Sequence, residues 1–138
     1  EQCSINRSAY LVHKDQDGKT LDRPTIIGNK TEGALIMMVN NWGHDHEELK
    51  SNLYLEGRDK IFSFNSAKKR STAVVHRADG TVRIYCKGAS EWILKDCTHY
   101  LSNAGVATEM SELKRQTLDV TINGMADKAL RTLCLAHK

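Results

Sequence analysis

No stretch of this 138-residue chain approaches the roughly 20 consecutive apolar residues that a membrane-spanning helix needs. The longest apolar run, Ala34 to Val39, is the size of a buried segment. Close cysteine pairs are missing too. Cys3, Cys86, Cys97 and Cys134 stand far apart with no C-x-x-C, which argues against zinc ribbons and thioredoxin-like motifs and leaves four thiols expected in the reduced state. The start, Glu1-Gln-Cys-Ser, has neither a basic stretch followed by an apolar one nor an initial Met, so the chain is expected to be a piece of something larger. Neither sign of charge dominates: 20 Lys and Arg stand against 17 Asp and Glu, for a net charge of +3. That suits an anionic ligand but falls far short of a nucleic-acid binder. A Walker A loop, a kinase-type glycine-rich loop and a nucleophile-base pair are absent, as are repeats and low-complexity segments.

What is present fits one soluble domain over residues 1–138: 40% hydrophobic and 27% charged residues, with enough length to bury one core. A short strand is expected at Ser8 to Val12, then a polar loop from Lys14 to Asn29. Asp15, Asp17 and Gly18 have the beginning of a calcium loop, but its twelfth position is Ile26 rather than an acid, so that reading fails. Thr31 is expected to cap a helix through Val39, and a second helix should cover Asp45 to about Leu53. The pattern then changes to strand: Ile61 to Phe64, Thr72 to Arg77 and Thr81 to Cys86. Asp79-Gly80 is a hairpin signal between the last two, since both residue types tolerate positive φ. A short helix at Ala89 to Lys95 follows, with a loop at Asn103-Ala-Gly105. A long helix from Ser111 to Leu130 would carry an apolar stripe through Leu113, Leu118, Ile122, Met125 and Ala129, and Arg131 to Ala136 reads as a final buried strand. Hairpins mixed with unevenly placed helices predict an α+β fold, an antiparallel twisted β-sheet flanked by helices.

Two constellations invite a chemical reading. Gly43-His-Asp-His-Glu-Glu48 offers imidazoles and carboxylates, making a metal-binding or protein-interaction module centred on His44 to Glu48 an alternative; His44 and His46 are two apart, however, and diverge on a helix. Asp96-Cys-Thr98 has the Asp-x-Thr of a phosphorylated aspartate, but His99 and Tyr100 follow where Gly-Thr is needed.

Four further segments occur in order: Lys30-Thr-Glu-Gly-Ala-Leu35, Phe64-Asn-Ser-Ala-Lys-Lys-Arg-Ser71, Lys87-Gly-Ala-Ser-Glu91 and Leu130-Arg-Thr-Leu-Cys-Leu-Ala136. Together they resemble the signature set of P-type ATPase nucleotide-binding (N) domains, and most closely those of plasma-membrane, calmodulin-regulated calcium-transporting ATPases. The resemblance spans nearly the whole chain and implies an N-domain-like fold. It implies that the chain binds ATP or ADP, and that its parent presents the γ-phosphate to an aspartate in a separate phosphorylation domain. Mg²⁺ would be bound mainly there. The implied partners are the phosphorylation and actuator domains of the same parent chain, with no nucleic acid and no membrane insertion. The implied state is a monomeric cytosolic domain of a membrane protein that binds nucleotide without hydrolysing it.

The resemblance assigns nucleotide contacts to Thr31, Glu32, Phe64, Ser66, Lys69, Lys87, Gly88, Arg131 and Leu133. Each also has an ordinary structural reading. Phe64 either stacks on adenine, worth about 1–3 kcal/mol per base, or fills the core. Glu32 either accepts from the adenine amino group or simply complements a helix N-terminus. Lys87 either lines the adenine pocket or is a solvated strand end, and Gly88 would let a flat ligand approach the backbone. Arg131 either grips ribose and phosphates with its guanidinium fork or pairs with Asp127. Lys69 either meets the phosphate tail as a point charge or belongs to a solvated basic turn. Ser66 stands where some relatives carry an arginine, and Gly33 replaces a larger residue beside Glu32.

Overall fold

The clearest alternation in the chain, buried Ser71, Ala73 and Val75 with half-buried neighbours, marks a central strand that uses one face for the core. In the computed structural model, which describes residues 1–138, this strand is β4 (Arg70–His76). It lies between β3 (Lys60–Asn65) and β5 (Val82–Ala89), and β8 (Leu133–His137) pairs with the other edge of β5. The four strands form one antiparallel sheet in the order β3-β4-β5-β8. The remaining strands form two-stranded pairs: β1 (Tyr10–Lys14) with β2 (Thr20–Ile27), and β6 (His99–Leu101) with β7 (Ala107–Glu109). With helices α1 (Gln2–Ile5), α2 (Lys30–Asn41), α3 (His46–Leu53), α4 (Ser90–Ile93) and α5 (Glu112–Ala126), the fold is α+β and antiparallel, as the hairpin signals predicted.

The core sits where α1 plugs the inner face of the sheet. Ile5, Ala73, Val75 and Tyr85 are closed to solvent, with Leu53, Tyr54 and Ile61 packed around them. Tyr85 does not leave its hydroxyl unpaired: it donates to Glu1 Oε2 and accepts from Arg77, so a polar clamp ties the chain start to β5. Such pairing is required because a buried hydroxyl without a partner loses its hydration for nothing.

Several expectations need correction. The stretch from Lys14 to Asn29 is not all loop. Leu21, Pro24 and Ile26 turn inward and β2 forms; its proline is tolerated because the strand has a neighbour on one side only. The cap of α2 is Asn29, whose Oδ1 accepts from Thr31 N at 2.9 Å and Glu32 N at 3.1 Å, rather than Thr31. Gly33 has a packing reason: a Cβ there would lie 2.1 Å from Ile26 Cγ2, so any larger residue would force the Ile26 side chain or α2 to shift. Helix α5 stops at Ala126, with Ala129 in the left-handed region at φ 56°, and it buries no residue; Leu113 is 75% exposed, so the stripe is not a core stripe. The last strand starts at Leu133, leaving Arg131 on the segment before it, and is half-buried with Leu135 exposed. Helix α1 and the β6–β7 pair were not anticipated, both being too short for a periodic signal.

Candidate functional site

A cavity of about 500 Å³ opens between the N-terminus of α2 and the β4–β5–β8 end of the sheet. Its floor is set by strand register. Ser71 pairs with Lys87 across β4 and β5, which puts both side chains on the same face. The wall from β3 depends on an irregularity. Phe62 pairs with Thr72 and Asn65 with Arg70, so β3 spends one residue more than β4 over that interval. Strict alternation would put Phe62 and Phe64 on one face; the extra residue turns Phe64 toward the face of Ser71 and Lys87, a usual effect of a β-bulge. Its ring stands at the cavity mouth, 56% exposed.

Beyond β3 the chain turns sharply. Asn65 Oδ1 accepts from Ala67 N and Lys68 N, closing the turn, and Lys69 leaves it in the left-handed conformation at φ 51°. Few non-glycine residues adopt that geometry. It is held because the Lys69 carbonyl accepts from Ala89 N at 3.1 Å. Gly88 makes this contact feasible: a Cβ at Gly88 would lie 2.2 Å from Lys69 O and 2.8 Å from Arg70 Cα. Close backbone approach by itself therefore requires glycine here.

Lys87 is neither solvated nor a free cation. It is 6% exposed; its Nζ donates to Asn6 O and to Glu32 Oε1, the latter at 2.7 Å. Glu32 Oε2 in turn accepts from Ser8 N at 2.8 Å, Ser8 Oγ at 3.0 Å and Ala9 N at 3.2 Å. Burial works to raise the Glu32 carboxyl, but the Lys87 ammonium and the Ser8 donors outweigh it and the net direction is down. The floor is thus a neutralised ion pair that ties α2, β5 and the segment after α1 together. By contrast, Lys69 and Arg131 are exposed and their side chains make no hydrogen bond or ion pair; Arg131 does not pair with Asp127.

Eight of the nine residues singled out in the sequence line this cavity: Thr31, Glu32, Phe64, Lys69, Lys87, Gly88, Arg131 and Leu133. Ser66 does not; it lies on the exposed turn. Sequence reading missed Asn29, Leu35, Ser71, Ala89, Glu91 and Thr132. Asn29 was legible as the capping residue before Lys30-Thr-Glu, and Ser71 as the polar member of an alternating strand. The others come to the cavity only through the fold.

A second cavity, of about 490 Å³, contains the histidine constellation, lined by Leu11, His13, Asn40, Gly43, His44, Asp45, His46 and Glu47. Most of its polar side chains are already engaged, His13 and His44 excepted. His46 Nδ1 lies 2.7 Å from Asn40 Oδ1, Asp45 caps α3 through Glu47 N and Glu48 N, and Glu47 pairs with Arg7 at 2.7 Å. Burial, then the Arg7 charge, hold the His46 imidazole below its ordinary pKa. No three His, Cys, Asp or Glu side chains converge as a metal set in the chain. Asp96 is likewise committed, to Arg70 at 2.9 Å.

The cavity's motifs extend to the chain as a whole. Residues 1–138 match the family described as P-type ATPase, cytoplasmic domain N. A probable plasma membrane-type calcium-transporting ATPase 9 of Oryza sativa subsp. japonica is 38% identical over 96% of this chain. Plasma membrane calcium-transporting ATPase 4 of Bos taurus is 37% identical over 98% of it, and ATPase 1 of Homo sapiens 38% over 83%. With the full-length match and these identities, the chain belongs to the P-type ATPase cytoplasmic N-domain family. It spans 10% to 12% of the length of those relatives. No helix is long and apolar enough to cross a membrane.

Proposed function

We propose that residues 1–138 act as one nucleotide-binding domain that holds ATP in the cavity beneath Phe64, as part of a longer calcium-transporting P-type ATPase. The observation that carries this reading is the combination at one cavity of an exposed aromatic ring, a neutral polar floor and two uncommitted cations. An adenine needs a flat apolar surface and a few edge contacts; its triphosphate needs positive charge that is not already spent. Phe64 supplies the stacking surface. Glu32 Oε1, which accepts one hydrogen bond from Lys87, retains a lone pair for the exocyclic amino group. Lys87 orients that carboxylate and Thr31, Gly88 and Leu133 shape the walls, while Lys69 and Arg131 meet the phosphates. Ser66, on the exposed turn outside the cavity, is given no contact with the base in this reading.

In the parent the domain brings the γ-phosphate to an aspartate of a separate phosphorylation domain, so its share of catalysis is positioning. Mg²⁺ would supply neutralisation of phosphate charge and would be held mainly outside this chain; within the cavity the Glu32 carboxylate already pairs with Lys87 and Ser8. The proposed setting is a cytosolic, monomeric domain working with the phosphorylation and actuator domains of its own parent. Alone it binds nucleotide and does not turn it over. Affinity for ATP is expected at about the millimolar level, near −4 kcal/mol. An NMR titration tests the reading: ATP, ADP and AMP should each shift amides near Glu32, Phe64 and Lys87. Amides there that stay still at millimolar ATP would sink it.

A further inference from the structure

On the cavity floor, one polar group lacks the partner that burial demands. Ser71 is 2% exposed and lines the cavity, yet its Oγ has no hydrogen-bond partner among the protein groups. Buried hydroxyls are paired as a rule, and an orphan at a binding cavity calls for an explanation. Ser71 sits opposite Lys87 in the β4–β5 register, and Lys87 Nζ touches Glu32, so the orphan hydroxyl lies in the same floor as a carboxylate oxygen that takes a single hydrogen bond from the protein. Its Oγ can swing among three staggered positions about a single bond without moving the strand.

We propose that Ser71 is a base-reading residue whose hydroxyl donates to a ring nitrogen flanking the amino group of adenine. This rests on the nucleotide reading above and adds to it a donor beside the acceptor of Glu32. Adenine presents an amino donor flanked by ring-nitrogen acceptors, so one acceptor and one donor in the floor match it. Guanine, which carries a carbonyl oxygen in place of that amino group, would leave Glu32 facing an acceptor. Apart from the ligand, the hydroxyl contributes nothing to the fold, because no protein group answers it.

The test is an NMR titration of the wild-type chain and Ser71→Ala with ATP, 1-deaza-ATP and 7-deaza-ATP, alongside thermal unfolding without ligand. Removing the hydroxyl should weaken ATP binding about five- to tenfold, the size of one neutral hydrogen bond. The unfolding midpoint should stay level or rise, because a buried group without a partner has been deleted. One deaza analogue, the one lacking the contacted nitrogen, should lose a similar factor in the wild-type chain and nothing further in Ser71→Ala. Unchanged ATP affinity in Ser71→Ala overturns the inference, as does a loss of affinity accompanied by a lower unfolding midpoint, which marks a structural serine. Analogue losses that all add to that of Ser71→Ala overturn it too. If the wild-type chain itself shows no response to ATP, the nucleotide reading falls and this inference with it.

Discussion

The two cavities of this chain are nearly the same size, about 500 and 490 Å³, and both are lined mostly by polar residues. They differ in what their groups are doing. In the histidine cavity Asn40 meets His46, Asp45 caps α3 and Glu47 pairs with Arg7, which leaves the His13 and His44 imidazoles as its side chains without a protein partner. In the cavity under Phe64 the ion pair of the floor is satisfied by Lys87, Glu32 and Ser8, but an aromatic ring, the Lys69 and Arg131 cations, the Glu91 carboxylate and the Ser71 hydroxyl are left without protein partners. Uncommitted groups, more than volume, mark a place where a ligand lowers the free energy, because only they have interactions still to make.

That contrast can be broken most forcefully at the floor. Glu32→Gln would leave the Lys87 ammonium buried without its counter-charge and should destabilise the chain by about 3 kcal/mol, read as a lower urea midpoint. The pH dependence follows from the lowered carboxyl. A group whose pKa is depressed by folding stabilises above its unfolded pKa and loses that contribution as pH falls through the folded one. The wild-type chain should therefore hold this stability at neutral pH and shed it below the ordinary glutamate range, while Glu32→Gln should lack that part of the acid slope. A mutant with wild-type stability and slope would mean that the ion pair does not organise the floor.

Phe64→Ala should act in the opposite sense, on the ligand and not the fold. With its ring 56% exposed, its loss should leave the urea midpoint within about 0.5 kcal/mol. ATP affinity should drop by about 2 kcal/mol. An intact affinity would remove Phe64 from the site and erase the difference between the cavities. The smallest effect is expected at the other cavity. His44→Ala should leave ATP binding unaltered, and calorimetry with Zn²⁺ should show no site tighter than about 1 mM, since the imidazoles and carboxylates there do not converge. Stoichiometric zinc heat lost in His44→Ala would restore the metal reading.

How much of this was readable in advance varies by region. The hairpin around Asp79-Gly80 and helix α3 lie where local signals placed them, because turn residues and caps act over three or four positions. Strand β2 was not readable: Leu21, Pro24 and Ile26 do not alternate, and their inward positions depend on β1 and α2 being there to cover them. Helix α5 was overextended because an apolar stripe does not reveal whether anything packs on it. Among site residues, the sequence leaves Lys87 as either pocket-lining or solvated. Its burial depends on Asn6, 81 residues away, whose carbonyl accepts from it.

By itself the sequence determined the family, the α+β class and the four segments that meet at the cavity, since these are written in short contiguous runs of residues. Tertiary structure decided what each residue in those runs does. One extra residue in β3 turned Phe64 to the cavity face; close backbone contact by itself required glycine at Gly88; and Lys87 became the partner of Glu32, leaving Lys69 and Arg131 as the free cations of the cavity. The reason is that register, burial and charge pairing are relations between segments far apart in the chain, and no local pattern specifies them.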